Sequence, residues 1–245
     1  MSTSMLQRVA LLTLVVASTA TAQSTDVPEQ STSTGAELLR RSSVNVSFMQ
    51  NRPQGDFSRN VGLGYGADAA YLFRLDDAGF WSLRANVGVV NYGNESHRTP
   101  FSETVGGRVT VDVKTGNYIV PMSIGPQVSW PTGPVRPYAN AGVGGMAFFT
   151  QSSVQGTGDY TPIASTVNHS SIVGSWDLGT GVYMPLSVRT VKVDIDLGVQ
   201  YYNGGRVRYL SKGSIIDLPN AQISVTPLES TAHMTMIRLG ARLYR

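Results

Sequence analysis

Asp194 and Asp196 stand two positions apart in VKVDIDLGVQYY, a spacing that in a strand sets two carboxylates side by side on one face, as a metal or acid–base site would require. Asn168-His169-Ser170-Ser171 places an imidazole beside hydroxyls, a base and a nucleophile of the kind that deacylating enzymes use. No third carboxylate can be assigned to orient His169, and the Asp pair has a simpler use. Asp68, Asp177, Asp194 and Asp196 can pair with Arg74, Arg84, Arg136, Lys192, Arg238 and Arg242. No phosphate-binding loop, HExxH or nucleophile elbow is present. The chain has no cysteine, which excludes disulfides, thiolate nucleophiles, iron–sulfur clusters and thiolate zinc sites. No catalysis, cofactor or metal is expected.

The elements that must carry these charges alternate with a period of two. In VKVDIDLGVQYY, Val191, Val193, Ile195, Leu197, Val199 and Tyr201 share one face, and Lys192, Asp194, Asp196, Gly198, Gln200 and Tyr202 the other. The same split recurs in WSLRANVGVV, where Trp81, Leu83, Ala85, Val87 and Val89 oppose Ser82, Arg84, Asn86 and Gly88. Trp176, Leu178, Thr180, Val182 and Met184 oppose Asp177, Gly179, Gly181 and Tyr183, while Ile237, Leu239, Ala241 and Leu243 oppose Arg238, Gly240, Arg242 and Tyr244. Eight strands follow, at 43–51, 61–74, 80–92, 117–130, 135–150, 172–186, 190–203 and 232–244. No helical period of comparable length appears.

Two architectures produce such alternation with opposite assignments of the faces. A soluble sandwich or barrel turns its apolar face inward; a membrane barrel turns it out to lipid and lines its interior with polar and small residues. The second fits, because one face mixes glycines with charges of both signs, and isolated ions in a sealed apolar core would be very costly. Segments of 12 to 15 residues suit a tilted crossing. Tyr71, Phe73, Trp81, Trp130, Phe149, Trp176 and Tyr201 near their ends are expected to form interfacial girdles.

Connections alternate long and short. Those at 52–60, 93–116, 151–171 and 204–231 are long; those around Leu75 to Gly79, Pro131 to Pro134 and Ser187 to Arg189 are tight. The expected fold is therefore all-β: an eight-stranded, antiparallel, up-and-down transmembrane β-barrel with short periplasmic turns and long extracellular loops. Arg108 to Val113 and Ile223 to Val225 are strand-like pieces inside two long loops, either hairpins above the membrane or two further spanning strands.

Residues 1–22, MSTSMLQRVALLTLVVASTATA, join one basic residue to a short apolar run and end in an Ala-Thr-Ala cut site, the pattern of a secretory signal peptide cleaved near Ala22/Gln23. Residues 23–42 are Ser/Thr-rich, a flexible lead-in, and 43–245 form the barrel domain. With 14% charged residues and a formal charge of only +3, the 245-residue chain gives no reason to expect nucleic acid as a partner.

With these residues assembled, the chain resembles the small outer-membrane β-barrel family typified by the transmembrane domains of OmpA and OmpW. The resemblance covers about 43–245 and includes the stretch GPVRPYANAGVG at Gly133 to Gly144 and a final strand running to the end. The family's last residue is usually Phe or Trp, whereas here Tyr244 precedes Arg245. The chain ends with the barrel strand, so peptidoglycan binding is not expected. The resemblance implies a monomer in the bacterial outer membrane with a structural or surface-interaction role, contacting lipid, lipopolysaccharide and the barrel-insertion machinery. Alternatives are a narrow channel or lateral portal for small apolar molecules, a lipid-A-modifying barrel enzyme acting through His169 and Ser170, and a soluble secreted lipocalin-like binder.

Overall fold

The computed structural model describes residues 41–100, 110–156, 162–188, 191–211, 213–218 and 222–244. The signal-peptide segment 1–22 and nearly all of the 23–42 lead-in lie outside the described residues.

Ten strands appear in chain order: β1 Ser42–Gln54, β2 Gly64–Arg74, β3 Trp81–Pro100, β4 Thr110–Ser129, β5 Arg136–Gly156, β6 Pro162–Val188, β7 Val191–Tyr209, β8 Ile215–Leu218, β9 Gln222–Val225 and β10 Leu228–Tyr244. Eight of them close an antiparallel barrel in the order β1-β10-β7-β6-β5-β4-β3-β2. Each strand pairs with its neighbour in sequence, and the barrel is sealed by β1 against β10, from Ser43 opposite Tyr244 to Gln54 opposite His233. Strands β8 and β9 form a separate two-stranded hairpin between β7 and β10. Of the two strand-like loop pieces, Ile223 to Val225 thus belongs to this hairpin. Residues 110–113 of the other instead prolong β4 between β3 and β5, so the barrel has eight strands and not ten.

The faces are assigned as alternation requires. Val143 is 65% and Ile172 80% exposed on the outside, whereas Arg84 and Arg238 are 2% exposed within. Along β7, Asp194, Asp196, Gln200 and Tyr202 point into the lumen, and Leu197 and Val199 point out. Of the expected girdle, Tyr71, Trp81, Trp130 and Trp176 are exposed on the outer wall.

The long connections are a correction. Most of 93–116, 151–171 and 204–209 is strand, which carries the wall well past the apolar belt. A 20-residue strand such as β3 or β4, at about 3.3 Å per residue and a tilt near 40°, rises about 50 Å, roughly twice the ~25 Å apolar band of such barrels. Stretches such as Asn94-Glu95-Ser96-His97-Arg98 are polar on both faces, so they carry no apolar alternation although their backbone stays paired with β4. The opposite rim is closed by tight turns. The first is tied by Leu75 N–H to the Trp81 carbonyl at 2.9 Å and by two Asp76 bonds, from Phe80 N–H at 3.1 Å and Trp81 N–H at 2.7 Å.

Four bulges lie toward the long-loop rim, at Asn91 to Gly93 of β3, at Asn168 and between Pro162 and Ala164 of β6, and at Gly204-Gly205 of β7. The last inverts the phase of its strand. Below it the even-numbered Tyr202 faces inward; above it the odd-numbered Val207 and Tyr209 do, and Arg206 and Arg208 turn outward.

Candidate functional site

The lumen is the place where this chain concentrates polar chemistry, and it has two storeys. Toward the turn rim it is a polar network. Asp68 of β2 sits between two guanidinium groups, Arg84 of β3 at 3.8 Å and Arg238 of β10 at 3.5 Å. Arg84 also donates to Gln127 Oε1 at 3.1 Å, and Gln127 Nε2 donates to Ser129 at 2.9 Å and Tyr183 at 3.2 Å. Arg238 donates to the Tyr138 phenol at 3.2 Å, and that phenol donates to Asp196 at 2.7 Å. Asn45 Nδ2 supplies a second donor to Asp196. Asp194 receives Arg136 and the Tyr244 hydroxyl. Arg242 donates to Ser43 at 2.9 Å and lies over the rings of Tyr183 and Tyr244, 4.8 and 4.9 Å from their centroids. Asp177 takes hydrogen bonds from Ser123 at 2.6 Å and Gln200 at 3.1 Å.

Eight of the ten charges read from the sequence are therefore gathered in one lumen. Arg74 keeps the inner phase but stands at the last position of β2, where its charge acts on Asp76 in the adjoining turn. Lys192 pairs through its backbone with Ser187, and its side chain lies outside what is described. Partial desolvation pushes the Asp76 carboxyl up. The backbone N–H groups of Trp81, Phe80 and Asp76 itself, with Arg74, outweigh that and hold it below its ordinary value. The neutral partners Tyr138, Asn45, Gln127, Tyr183 and Tyr244 were not among the expected network residues. For Tyr138, Tyr183 and Tyr244 the signal was available, since each shares a strand face with a predicted charge; Asn45 and Gln127 stand on β1 and β4, which carry none of those charges.

Toward the long-loop rim the lumen turns apolar. Met49, Val90, Ile119, Met146, Phe148, Tyr202, Val207, Tyr209, Met234 and Met236 form one buried cluster. A 3₁₀ turn, Gly55–Arg59, folds over it and inserts Phe57, which is fully buried. The Phe57 ring meets Tyr209 edge-on at 5.1 Å, Phe148 at 5.9 Å and Tyr92 at 6.4 Å. Nothing in the alternation pattern predicts this storey, because Val90 and Ile119 are apolar residues on the polar phase.

His169 and Ser170 lie in β6, not in a loop, opposite Thr150 and Phe149. Adjacent strand residues point to opposite faces, so this imidazole cannot serve as base to that hydroxyl. The His169 Nε2 lies instead 3.0 Å from the Arg208 carbonyl oxygen. His97 is likewise a strand residue, opposite Val113. Among the described residues no group of three or more His, Asp or Glu side chains is placed to hold a metal.

No protein-family model matches the sequence, and no curated protein matches it. Among solved structures, the chain is similar to Neisserial surface protein A at 14% identity and a TM-score of 0.41, over 83% of this chain and 97% of that one. It is also similar to Ail, the attachment invasion locus protein of Yersinia pestis, solved with the heparin analogue sucrose octasulfate, at 15% identity and a TM-score of 0.38 over 82% and 97%. A third similarity is to a major outer membrane protein from Thermus thermophilus, at 14% identity and a TM-score of 0.40 over 83% and 99%. The fold assignment itself rests on the closed ladder of eight strands.

Proposed function

We propose that this chain is a monomeric outer-membrane barrel, exported behind a signal peptide cut near Ala22/Gln23, with a structural and surface-interaction role and a closed lumen. The inside-out distribution of polarity carries the reading. A wall that exposes Phe48, Leu83, Val143, Ile172, Trp176 and Leu239 while burying Arg84, Arg238, Asp177 and Asp196 matches a protein solvated by lipid outside. In water the same surface would be a large apolar liability, which argues against the soluble lipocalin-like binder.

The tight turns then face the periplasm, and the extended wall with the β8–β9 hairpin projects outside the cell, where its surface-contact role resides. Lipid and lipopolysaccharide surround the belt, and the insertion machinery is the partner during assembly. The filled interior favours a structural barrel over a channel: the Asp68–Arg84–Arg238 group and the Phe57-capped cluster each occupy the lumen.

Membrane fractionation with a heat-modifiability gel tests the location. A band retained in the outer-membrane fraction, migrating differently when unheated, is expected; release into the soluble fraction would overturn the reading. Planar-bilayer recording tests the closed lumen, and stable discrete conductance steps from the wild-type chain would sink that part alone.

A further inference from the structure

Asp177 differs from the lumen's other carboxylates. Asp68 has two arginines within 4 Å, Asp194 has Arg136, and Asp196 lies in the hydrogen-bonded group of Arg238 and Tyr138. Asp177 is 1% exposed, its hydrogen-bond donors are the neutral Ser123 and Gln200, and no cation lies within ion-pair distance of it among the described residues. A buried carboxylate without a counter-charge is expensive.

The wall beside it has been cleared. Gly142 stands directly across from Asp177, and a Cβ there would lie 2.6 and 2.7 Å from the two carboxylate oxygens. Gly179, the next inward position on β6, is flanked by Asn140 of β5 and Gln200 of β7. A Cβ on Gly179 would collide with Gln200 Oε1 and lie 2.6 Å from Asn140 Oδ1. Both of these amide oxygens are buried and accept no hydrogen bond, on side chains that are 1% and 7% exposed. The Gln200 amide spans the gap, with Nε2 on Asp177 and Oε1 beside Asn140.

We infer that Asp177, Asn140 Oδ1 and Gln200 Oε1 bind a small monovalent cation, such as sodium, inside the barrel. Hard oxygen donors around one full negative charge suit that ion. Calcium would ordinarily take six to eight oxygens, with more than one carboxylate among them. A water molecule can donate only two hydrogen bonds and brings no charge to Asp177. Turning the Asn140 amide over to pair with Gln200 would relieve both orphaned oxygens without an ion, and it is the competing state. A bound cation would tie β5, β6 and β7 together from within.

The test uses the full chain in detergent micelles. In crystals soaked with thallium(I), an anomalous peak within coordination distance of Asp177, Asn140 and Gln200 is expected. The unfolding temperature of the wild type should rise by about 4 °C in sodium chloride over choline chloride at equal ionic strength, for an ion at roughly ten times its dissociation constant. Asn140→Leu, which keeps the carboxylate, and Gly179→Ala, which keeps every oxygen, should each abolish that difference. Water alone at the site, equal unfolding temperatures in the two salts, or an infrared carboxylic-acid band missing only from Asp177→Asn would overturn the inference. The thallium and wild-type salt measurements need no variant to fold.

Discussion

The two storeys of the lumen solve one packing problem with opposite chemistry. Near the turn rim, charged and phenolic side chains fill the barrel and are linked through a network in which Asp68, Tyr138 and Asp196 are the junctions. Near the long-loop rim the filling is methionine, aromatic and aliphatic, held under Phe57. A polar filling is directional and fails sharply when one member is lost; an apolar filling yields in proportion to the volume removed. The difference predicts how each storey breaks.

Asp68→Ala should have the largest effect. It strands Arg84 and Arg238, both 2% exposed, and the penalty for breaking a buried ion group is about 3–5 kcal/mol. Urea unfolding of the refolded barrel measures it, and a loss below about 1 kcal/mol would show that the network does not hold the lower storey. Phe57→Ala should cost about 3 kcal/mol, the usual range for a buried phenylalanine. The 3₁₀ turn can partly collapse into the gap, which places the loss at the low end of that range; urea unfolding measures it, and a loss above about 5 kcal/mol would show that the upper storey does not relax. Arg242→Met keeps the stem packed on Tyr183 and Tyr244 and removes the charge, at a cost of about 1 kcal/mol. Strong coupling to Asp68 in a double-mutant cycle would extend the network to the rim.

The smallest effect lies outside both storeys. Asp76→Asn retains the turn's shape and removes a carboxyl held below its ordinary value of 3.8. Since the folded-state value is depressed, the wild type's advantage over the variant is full above 3.8 and fades as the pH falls through the lowered value. Unfolding midpoints of both proteins between neutral and strongly acidic pH should converge at the acid end. A constant gap would assign the effect to geometry alone.

The lower storey was legible in the sequence because its two faces differ. Asp194, Asp196, Arg238 and Arg242 fall in phase opposite an apolar row, so strand and face could be read together and the charges grouped as one set, though not their neutral partners such as Tyr138 and Asn45 on Asp196. The upper storey was not, for two physical reasons. Where both faces are apolar, as at Val89 and Val90, or both polar, as from Asn94 to Arg98, the period-two signal vanishes although the backbone remains paired. The Gly204-Gly205 bulge then exchanges the faces of β7, so extrapolating from Tyr202 would put Arg206 and Arg208 inside, when Val207 and Tyr209 occupy that place. The loops were over-read for the same reason. Glycine pairs at a strand's polar end are the one local hint of the phase change.

The seam between β1 and β10 sets the order in which this molecule can come into being. The strand that seals the wall also carries Arg238 and Arg242, and one bond it makes across the seam, from Arg242 to Ser43, joins residues 199 positions apart. Until that strand arrives, Asp68 lacks one of its two cations and the inner carboxylates remain open to water. Contacts so distant in sequence are slow to form. Closing the wall and neutralising the interior are consequently a single late event, so an unfinished barrel is marked as unfinished by its own wet, unbalanced charge.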